Sequence, residues 1–185
     1  NVPTGPGDTF WLQGDYAKGA QGYVSAAGTN FTKYQGGGVG YGWAVDGVFG
    51  AAGSSIELVT SWGVHGTYEH FWSKSWKTSI NAGYEAFNFG STANALICTT
   101  GGVQALYGLS NCNNDFSVWT VGSRTSWLIS PVNEIGVEVV YTKLNTASKG
   151  TSTAVLSTGA ANGTTTIKDV DNWQALGIPA EFAER

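Results

Sequence analysis

This sequence contains a two-residue alternation of apolar and polar residues that runs for longer than an ordinary soluble strand. From Ile56 to Trp72 every second residue is mostly apolar or aromatic, and the residues between them are mostly polar. The alternation restarts at Trp76 after the short link "SKS". Side chains of a strand alternate between two faces, so this pattern predicts antiparallel strands with one apolar and one polar face. Strands of about ten residues are long enough to cross a membrane at a tilt.

The same alternation recurs between Gly, Ser, Asn and Pro residues, and helical periodicity is nearly absent. It predicts strands near residues 8–17, 40–49, 55–72, 75–88, 115–128, 133–144 and 164–176. Short links ("SKS", "ISPV") alternate with two long loops, at 89–114 and 145–163. Tight turns at one end and long loops at the other are typical of outer-membrane barrels. The sequence therefore predicts an all-β fold, an antiparallel transmembrane β-barrel of about seven to eight strands in one domain over residues 1–185.

Charge and composition exclude two broad classes. Charged residues make up only 12% of the chain, the net charge is −4, and the nine Lys and Arg residues are scattered. Nucleic-acid binding needs a concentrated basic surface, so we expect no nucleic-acid partner. The chain has 24 aromatic residues (8 Trp, 8 Tyr and 8 Phe), which is unlike a disordered segment.

The polar faces of the predicted strands carry charged side chains, which indicates water rather than a packed core on that side. We therefore expect these faces to line a water-filled interior. The predicted pore-lining residues are Asp15, Asp46, Glu57, His65, Glu69, Lys77, Glu85, Arg124 and Glu138. Six carboxylates against Lys77 and Arg124 predict a mild preference for cations. Arg124 could also form a structural ion pair with Glu138 or Glu85.

Large aromatic residues lie near the ends of the apolar faces rather than at their centres. Rings at both ends of a lipid-facing band sit at the membrane interfaces. The predicted interfacial aromatic residues are Tyr68, Trp72, Trp76, Trp119, Trp127 and Tyr141. The apolar faces are therefore expected to contact the lipid bilayer.

Other motifs give little support for a metal site, a cofactor site or catalysis. His65 and His70 are five positions apart and face opposite ways in an unbroken strand, so we expect no metal site there. No nucleophile–base–orienter set is visible, so we predict no catalytic residues, no cofactor and no enzyme activity. "GGGVGYG" lacks the spacing of a dinucleotide-binding loop and is interpreted as a loop. Cys98 and Cys112 favour a loop disulfide; two unpaired thiols are the alternative.

Two long segments carry a family resemblance. "SWGVHGTYEHFWSKSWKTSINAGYEAFNFG" and "DFSVWTVGSRTSWLISPVNEIGVEVVYTKLNTA" resemble the C-terminal half of alphaproteobacterial porins, over roughly residues 8–173. "ALIC" followed by "NCNNDFSVW" is similar to that family's cysteine loop. The resemblance implies half of a sixteen-stranded barrel, a homotrimer, and passive diffusion of small hydrophilic solutes and ions across the bacterial outer membrane.

The sequence alone is also compatible with two other functions. A soluble β-sandwich, such as a carbohydrate-binding module, would present its aromatic residues as a binding platform. A small closed barrel with a plugged interior would insert into the outer membrane without conducting.

Overall fold

The structure is a computed structural model, and it describes residues 4–25, 30–50, 54–99, 113–152 and 165–182. Most of these residues lie in strands, as the alternation predicts. Long alternating segments form the strands because β-branched and aromatic residues fill a pleated surface well. Gly, Asn and Ser interrupt them at the connections.

Six long strands form one antiparallel sheet, which we call the wall. The strands are β1 (Thr9–Lys18), β6 (Thr60–Phe71), β7 (Trp76–Asn88), β8 (Phe116–Ser130), β9 (Asn133–Asn145) and β12 (Val170–Phe182), paired in that order. Register is continuous from β1 to β8, with irregularities between Leu128 and Ser130 and between Ile178 and Glu181. Among the described strands β1 and β12 each have one neighbour, so the wall is open at both edges.

The connections of the wall differ sharply between its two ends. Residues 72–75 and 131–132 make the short turns, at what we call the turn end. The long connections, 19–59, 89–115 and 146–169, leave the wall and return to it at the opposite end, the loop end. Short and long connections therefore alternate between neighbouring strands of the wall, and the loop bounds 89–114 and 145–163 stay predictions.

The long connections fold into a second group of elements, which we call the loop layer. It contains a short 3₁₀ turn (Gln21–Tyr23), β2 (Asn30–Gln35), β3 (Gly38–Trp43), β4 (Gly47–Val48), β5 (Glu57–Leu58), α1 (Gly90–Thr99), β10 (Gly150–Ser152) and β11 (Thr165–Ile167). One four-stranded sheet has the order β10-β11-β3-β2, and β4 pairs with β5 alone. The turn between β2 and β3 contains Gly36 and Gly37, whose φ angles of 51° and 74° are in the left-handed region that glycine adopts freely.

The buried core lies at the loop end, where the loop layer packs on the wall. Phe87, Phe116, Leu144 and Val170 contribute to it from the wall. Phe31, Val39, Tyr41 and Ile167 contribute to it from the loop layer. The Phe87 and Phe116 rings are stacked with centroids 4.4 Å apart. The core thus occupies one end of the sheet and leaves the long middle of the wall uncovered.

Three predicted elements differ from the observed ones. The predicted strand 40–49 is not a wall strand: residues 38–43 belong to the loop layer, and Gly36 and Gly37 turn the chain back there. "GGGVGYG" was predicted as a loop, but only its first two glycines form a turn. The predicted strand 164–176 is two strands, at 165–167 and 170–182.

The predicted loop 89–114 contains α1, and the helix escaped prediction because ten residues give too short a periodic signal. The predicted disulfide lies outside the described residues because Cys112 is not among them, so it stays a prediction. Most of the predicted loop 145–163 lies outside them as well. The single domain over 1–185 also stays a prediction.

Candidate functional site

The two faces of the wall have opposite chemistry. Register places seven of the predicted pore-lining residues on one face, which we call the polar face. They are Asp15, His65, Glu69, Lys77, Glu85, Arg124 and Glu138. A slip of one residue would move any strand's charged residues to the other face, so the continuous pairing of β6, β7 and β8 fixes this arrangement.

Two predicted pore-lining residues lie elsewhere. Asp46 follows β3, and its Oδ1 accepts a hydrogen bond from the backbone N–H of Gln21 at 2.8 Å. Glu57 belongs to the two-stranded pair of the loop layer. Both residues were predicted to line the pore because they were expected on long wall strands. That expectation is wrong, because the chain leaves the wall between residues 19 and 59. A pore-lining role for either stays a prediction.

Four side chains on the polar face form what we call the charge ladder. Lys77 Nζ lies 3.2 Å from both Glu69 Oε2 and Glu134 Oε2. Arg124 Nη2 donates to Glu134 Oε1 at 3.1 Å. The ladder crosses β6, β7, β8 and β9, and its side chains are one fifth to one quarter exposed. It places two cations and two anions side by side near the turn end.

Glu134 is a polar-face residue that the predicted pore-lining set leaves out. It is four positions before Glu138 in the same strand, so it lies on the same face and the alternation itself contained the signal. The expected pair between Arg124 and Glu138 or Glu85 is wrong, because the guanidinium binds Glu134. Glu138 forms no ion pair within the part of the chain that the structure describes.

A second polar group lies closer to the loop end. His65 Nε2 is 3.6 Å from Glu85 Oε1, and the two residues line a polar hollow of about 250 Å³ with Asn81 and Thr120. The imidazole lies against Gly83, where an added Cβ would be 2.8 Å from His65 Nδ1. His65 and His70 do face opposite sides of β6, as predicted.

The opposite face of the wall, the apolar face, is exposed. Its large hydrophobic residues include Trp62, Val64, Val137 and Val139, which are between 40% and 60% exposed. A two-layer soluble sandwich would bury them. Small hydroxyl residues interrupt this face, where Thr78 and Thr125 bond each other through Oγ1 at 3.0 Å.

Aromatic rings form a row at each end of the apolar face. Toward the loop end, ring centroids are 5.1 Å apart for Trp62–Tyr84, 4.5 Å for Tyr84–Trp119 and 5.0 Å for Tyr141–Trp173. At the turn end Trp76 stacks on Trp127 at 6.1 Å, and Tyr68 and Trp72 flank His70.

The rows are separated by a distance that matches a bilayer. Trp119 and Trp127 are eight positions apart, ~26 Å along a strand and ~20 Å across a membrane at a ~40° tilt. With the rings themselves included, this height approaches the apolar band of about 25 Å on outer-membrane barrels.

A buried carboxylate ties the start of β1 to the end of β6. Asp8 Oδ2 lies 2.8 Å from His70 Nδ1 and accepts bonds from Thr4 Oγ1 at 2.7 Å and Tyr68 Oη at 3.0 Å. The Phe71 N–H donates to Asp8 Oδ1 at 3.0 Å. The bond with His70 has the largest effect, and together these bonds hold the pKa of Asp8 well below its usual range.

Comparison with known protein families decides the class of the molecule. A family profile described as "Porin subfamily" matches residues 1–174. The chain belongs to the porin family. Its localisation is therefore the bacterial outer membrane, where porins form channels. No curated protein and no solved structure matches it. Alphaproteobacterial origin stays a prediction.

Two other kinds of site are absent from the residues of the porin that the structure describes. Within them, no helix is both long enough and apolar enough to cross a membrane. In the same ranges no three His, Cys, Asp or Glu side chains come together in a way that could hold a metal ion.

Proposed function

We propose that this porin forms a water-filled channel for passive diffusion of small hydrophilic solutes and ions. The observation that carries the proposal is the division of one sheet into a charged face and an exposed apolar face bounded by aromatic rows. Hydrocarbon accepts the second face and excludes the first, so the polar face lines the lumen. The residues that line it are Asp15, His65, Glu69, Lys77, Glu85, Arg124, Glu134 and Glu138.

The aromatic rows then lie at the two membrane interfaces. Tyr68, Trp72, Trp76 and Trp127 would sit at the turn-end interface, and Trp119 and Tyr141 at the loop-end interface. Amphipathic rings prefer this depth because one edge is apolar and the other meets water. The lipid bilayer is the principal partner of the apolar face.

The wall also supports a mild preference for cations. Among the side chains that the structure describes, its polar face carries five carboxylates (Asp15, Glu69, Glu85, Glu134 and Glu138) and two cations (Lys77 and Arg124), a formal charge of −3. The charge ladder is internally neutral, so the excess comes from the three other carboxylates. Rings of carboxylates favour cations in channels.

The open edges of the wall support a larger assembly. An unpaired edge strand in hydrocarbon costs several kcal/mol for each unsatisfied backbone group, so β1 and β12 need strand partners there. The other half of a sixteen-stranded barrel would supply these partners; assembly as a homotrimer stays a prediction.

Reconstitution into planar bilayers tests the proposal. We expect stepwise conductance increments in a salt solution, and a reversal potential in a salt gradient whose sign favours cations. A soluble, monodisperse protein that melts cooperatively without detergent, and that never conducts, would overturn the channel and support the β-sandwich. Insertion without conductance would instead support the plugged barrel, a second candidate favoured by the buried core at the loop end.

A further inference from the structure

The polar hollow on the wall lies between the charge ladder and the loop end. It is lined by His65, Asn81, Glu85 and Thr120 among others, and its volume is about 250 Å³. Pockets that hold a whole drug-sized ligand are larger, about 300–1,000 Å³. The hollow therefore fits one polar head group on a short stem, while the rest of a solute stays outside it.

Glycines on the neighbouring strands give the polar side chains of the hollow their positions. A Cβ added at Gly83 would lie 2.8 Å from His65 Nδ1, and one added at Gly63 would lie 3.1 Å from His65 Nε2. A Cβ added at Gly122 would lie 2.6 Å from Asn81 Oδ1. Register places Gly83 opposite His65 and Gly122 opposite Asn81. Both polar side chains therefore lie over a neighbouring strand where it has no side chain of its own.

Glu85 has capacity left to accept a hydrogen bond from a ligand. Its side chain is 17% exposed, and its Oε1 lies 3.6 Å from His65 Nε2. That distance is longer than a hydrogen bond. The side chain of Ser25 hydrogen-bonds the same carboxylate. Because two carboxylate oxygens offer about four acceptor positions, Glu85 can bind a donor that enters the hollow.

The electrostatics of the hollow favour a cation. Glu85 forms no ion pair with Lys or Arg in the described part of the chain. Lys77, on the same strand, is held in the charge ladder eight residues away. This separation is ~26 Å along a strand, well beyond the Debye length of about 8 Å at physiological salt. Asp15 adds a second carboxylate, because register places it and Glu85 on either side of Gly63.

From this arrangement we propose that the hollow is a transient binding site for solutes that carry a primary ammonium group. The inference deepens the proposed function and rests on it, because it needs the polar face to line the lumen. An ammonium group has three N–H donors. One donates to Glu85 Oε1, one to Nε2 of neutral His65 with its proton on Nδ1, and one to an oxygen of Asn81 or Thr120. Neutral hydroxyl solutes lack the charge and quaternary ammonium ions lack the donors, so neither is held.

Two small cations distinguish this site from general attraction to a negative lumen. Propylammonium carries three N–H donors, whereas tetramethylammonium has the same charge and no such donor. Each is added to single channels in planar bilayers, and the frequency and duration of current interruptions are recorded for the parent, Glu85→Gln and Glu138→Gln. Glu138 is the matched control, because it is a carboxylate on the same face that lies outside the hollow.

We expect propylammonium to interrupt the current of the parent and tetramethylammonium to leave it uninterrupted. Glu85→Gln keeps the shape of the side chain and should shorten the interruptions about tenfold, because a hydrogen bond between charged groups is lost. Glu138→Gln should change how often the amine enters but not how long it stays. Equal durations in all three proteins, or equal interruptions by the two cations, would overturn the inference.

A measurement in detergent tests the site without a current. Nuclear magnetic saturation transferred from the protein to the propylammonium protons should be observed for the parent and for Glu138→Gln, and lost for Glu85→Gln. Equal transfer for all three proteins would also contradict the site. A parent that never conducts would refute the proposed function instead, so the two failures are distinguishable.

Discussion

Arg124 and Glu138 lie directly opposite each other on β8 and β9, yet the guanidinium of Arg124 binds Glu134, four residues away along β9. This ion pair gives Glu134 two cationic partners, because Lys77 binds its other carboxylate oxygen. It also leaves the carboxylate of Glu138 unpaired within the described residues. Two carboxylates on one strand thus have different roles.

We predict that Glu138→Gln lowers cation preference without loss of stability. The change removes an unpaired charge from the polar face, and the free energy of unfolding should stay within about 0.5 kcal/mol of the parent's. Glu134→Gln is the matched comparison. It removes a charge from the same face but leaves Arg124 without its ion-pair partner, so the free energy of unfolding should fall by about 1 kcal/mol. Reversal potentials in a salt gradient and urea unfolding in detergent measure the two effects. Equal unfolding midpoints for both variants would contradict the ladder.

The orientation of the wall gives a second prediction. Val137→Arg puts a charge on the apolar face between the two aromatic rows, and should destabilise the membrane-inserted protein by about 2–4 kcal/mol. Thr142→Arg, on the polar face of the same strand, should leave the unfolding free energy nearly unchanged and shift selectivity toward anions. Folding into lipid vesicles at increasing urea concentrations measures both. The reverse order of stabilities would mean that the faces are assigned wrongly.

Asp8 predicts an acid dependence of stability. Hydrogen bonds from His70, Thr4, Phe71 and Tyr68 depress the pKa of Asp8 in the folded protein. The stabilisation is therefore complete above the unfolded value of about 3.9, and is lost as the pH falls below it toward the folded value.

Asp8→Asn should abolish this dependence, because the variant has no carboxylate to protonate. Thermal unfolding midpoints between pH 6 and pH 2 test this, and we expect the parent to lose more stability than the variant below about pH 4. Parallel curves for the two proteins would show that Asp8 does not contribute.

Gly83 supports a fourth prediction, because the ring of His65 occupies the space that a side chain would need. Gly83→Ala should displace the imidazole from Glu85 and destabilise the protein by about 1 kcal/mol. The control is Gly14→Ala, since the nearest atom to a Cβ there is the Gly63 carbonyl oxygen at 4.0 Å. Urea unfolding of the two variants compares them, and equal midpoints would contradict the close packing of His65.

Much of the wall could be predicted from the sequence because strand alternation is a local signal. Faces, turns and five of the long strands follow from it, and so do the positions of Glu69, Lys77 and Arg124. The partner of Arg124 could not be predicted, because it depends on side-chain reach across β9 rather than on backbone register. The predicted position of Asp46 on a wall strand was wrong. β1 pairs with β6, and the partners Lys18 and Thr60 are forty-two residues apart in the sequence. The local pattern of residues does not reveal such a long-range pairing.

The loop layer was the least predictable part. The contacts of Gly40 and Gly42 could not be predicted, because nothing in the local sequence shows that Val170 and Phe116 will lie against them. Helix α1 has only ten residues, so its periodic signal in the sequence is weak. Packing against distant side chains determines such segments more than intrinsic propensity does.

The open edges of the wall have a consequence for biogenesis. Among the described strands, β1 and β12 each have one neighbour, and a sheet with open edges cannot enter hydrocarbon alone. Docking of neighbouring strands and passage into the bilayer must then occur as one concerted event, so a mutation that slows edge pairing would leave the polypeptide stranded in the aqueous periplasm, exposed to proteases and chaperones.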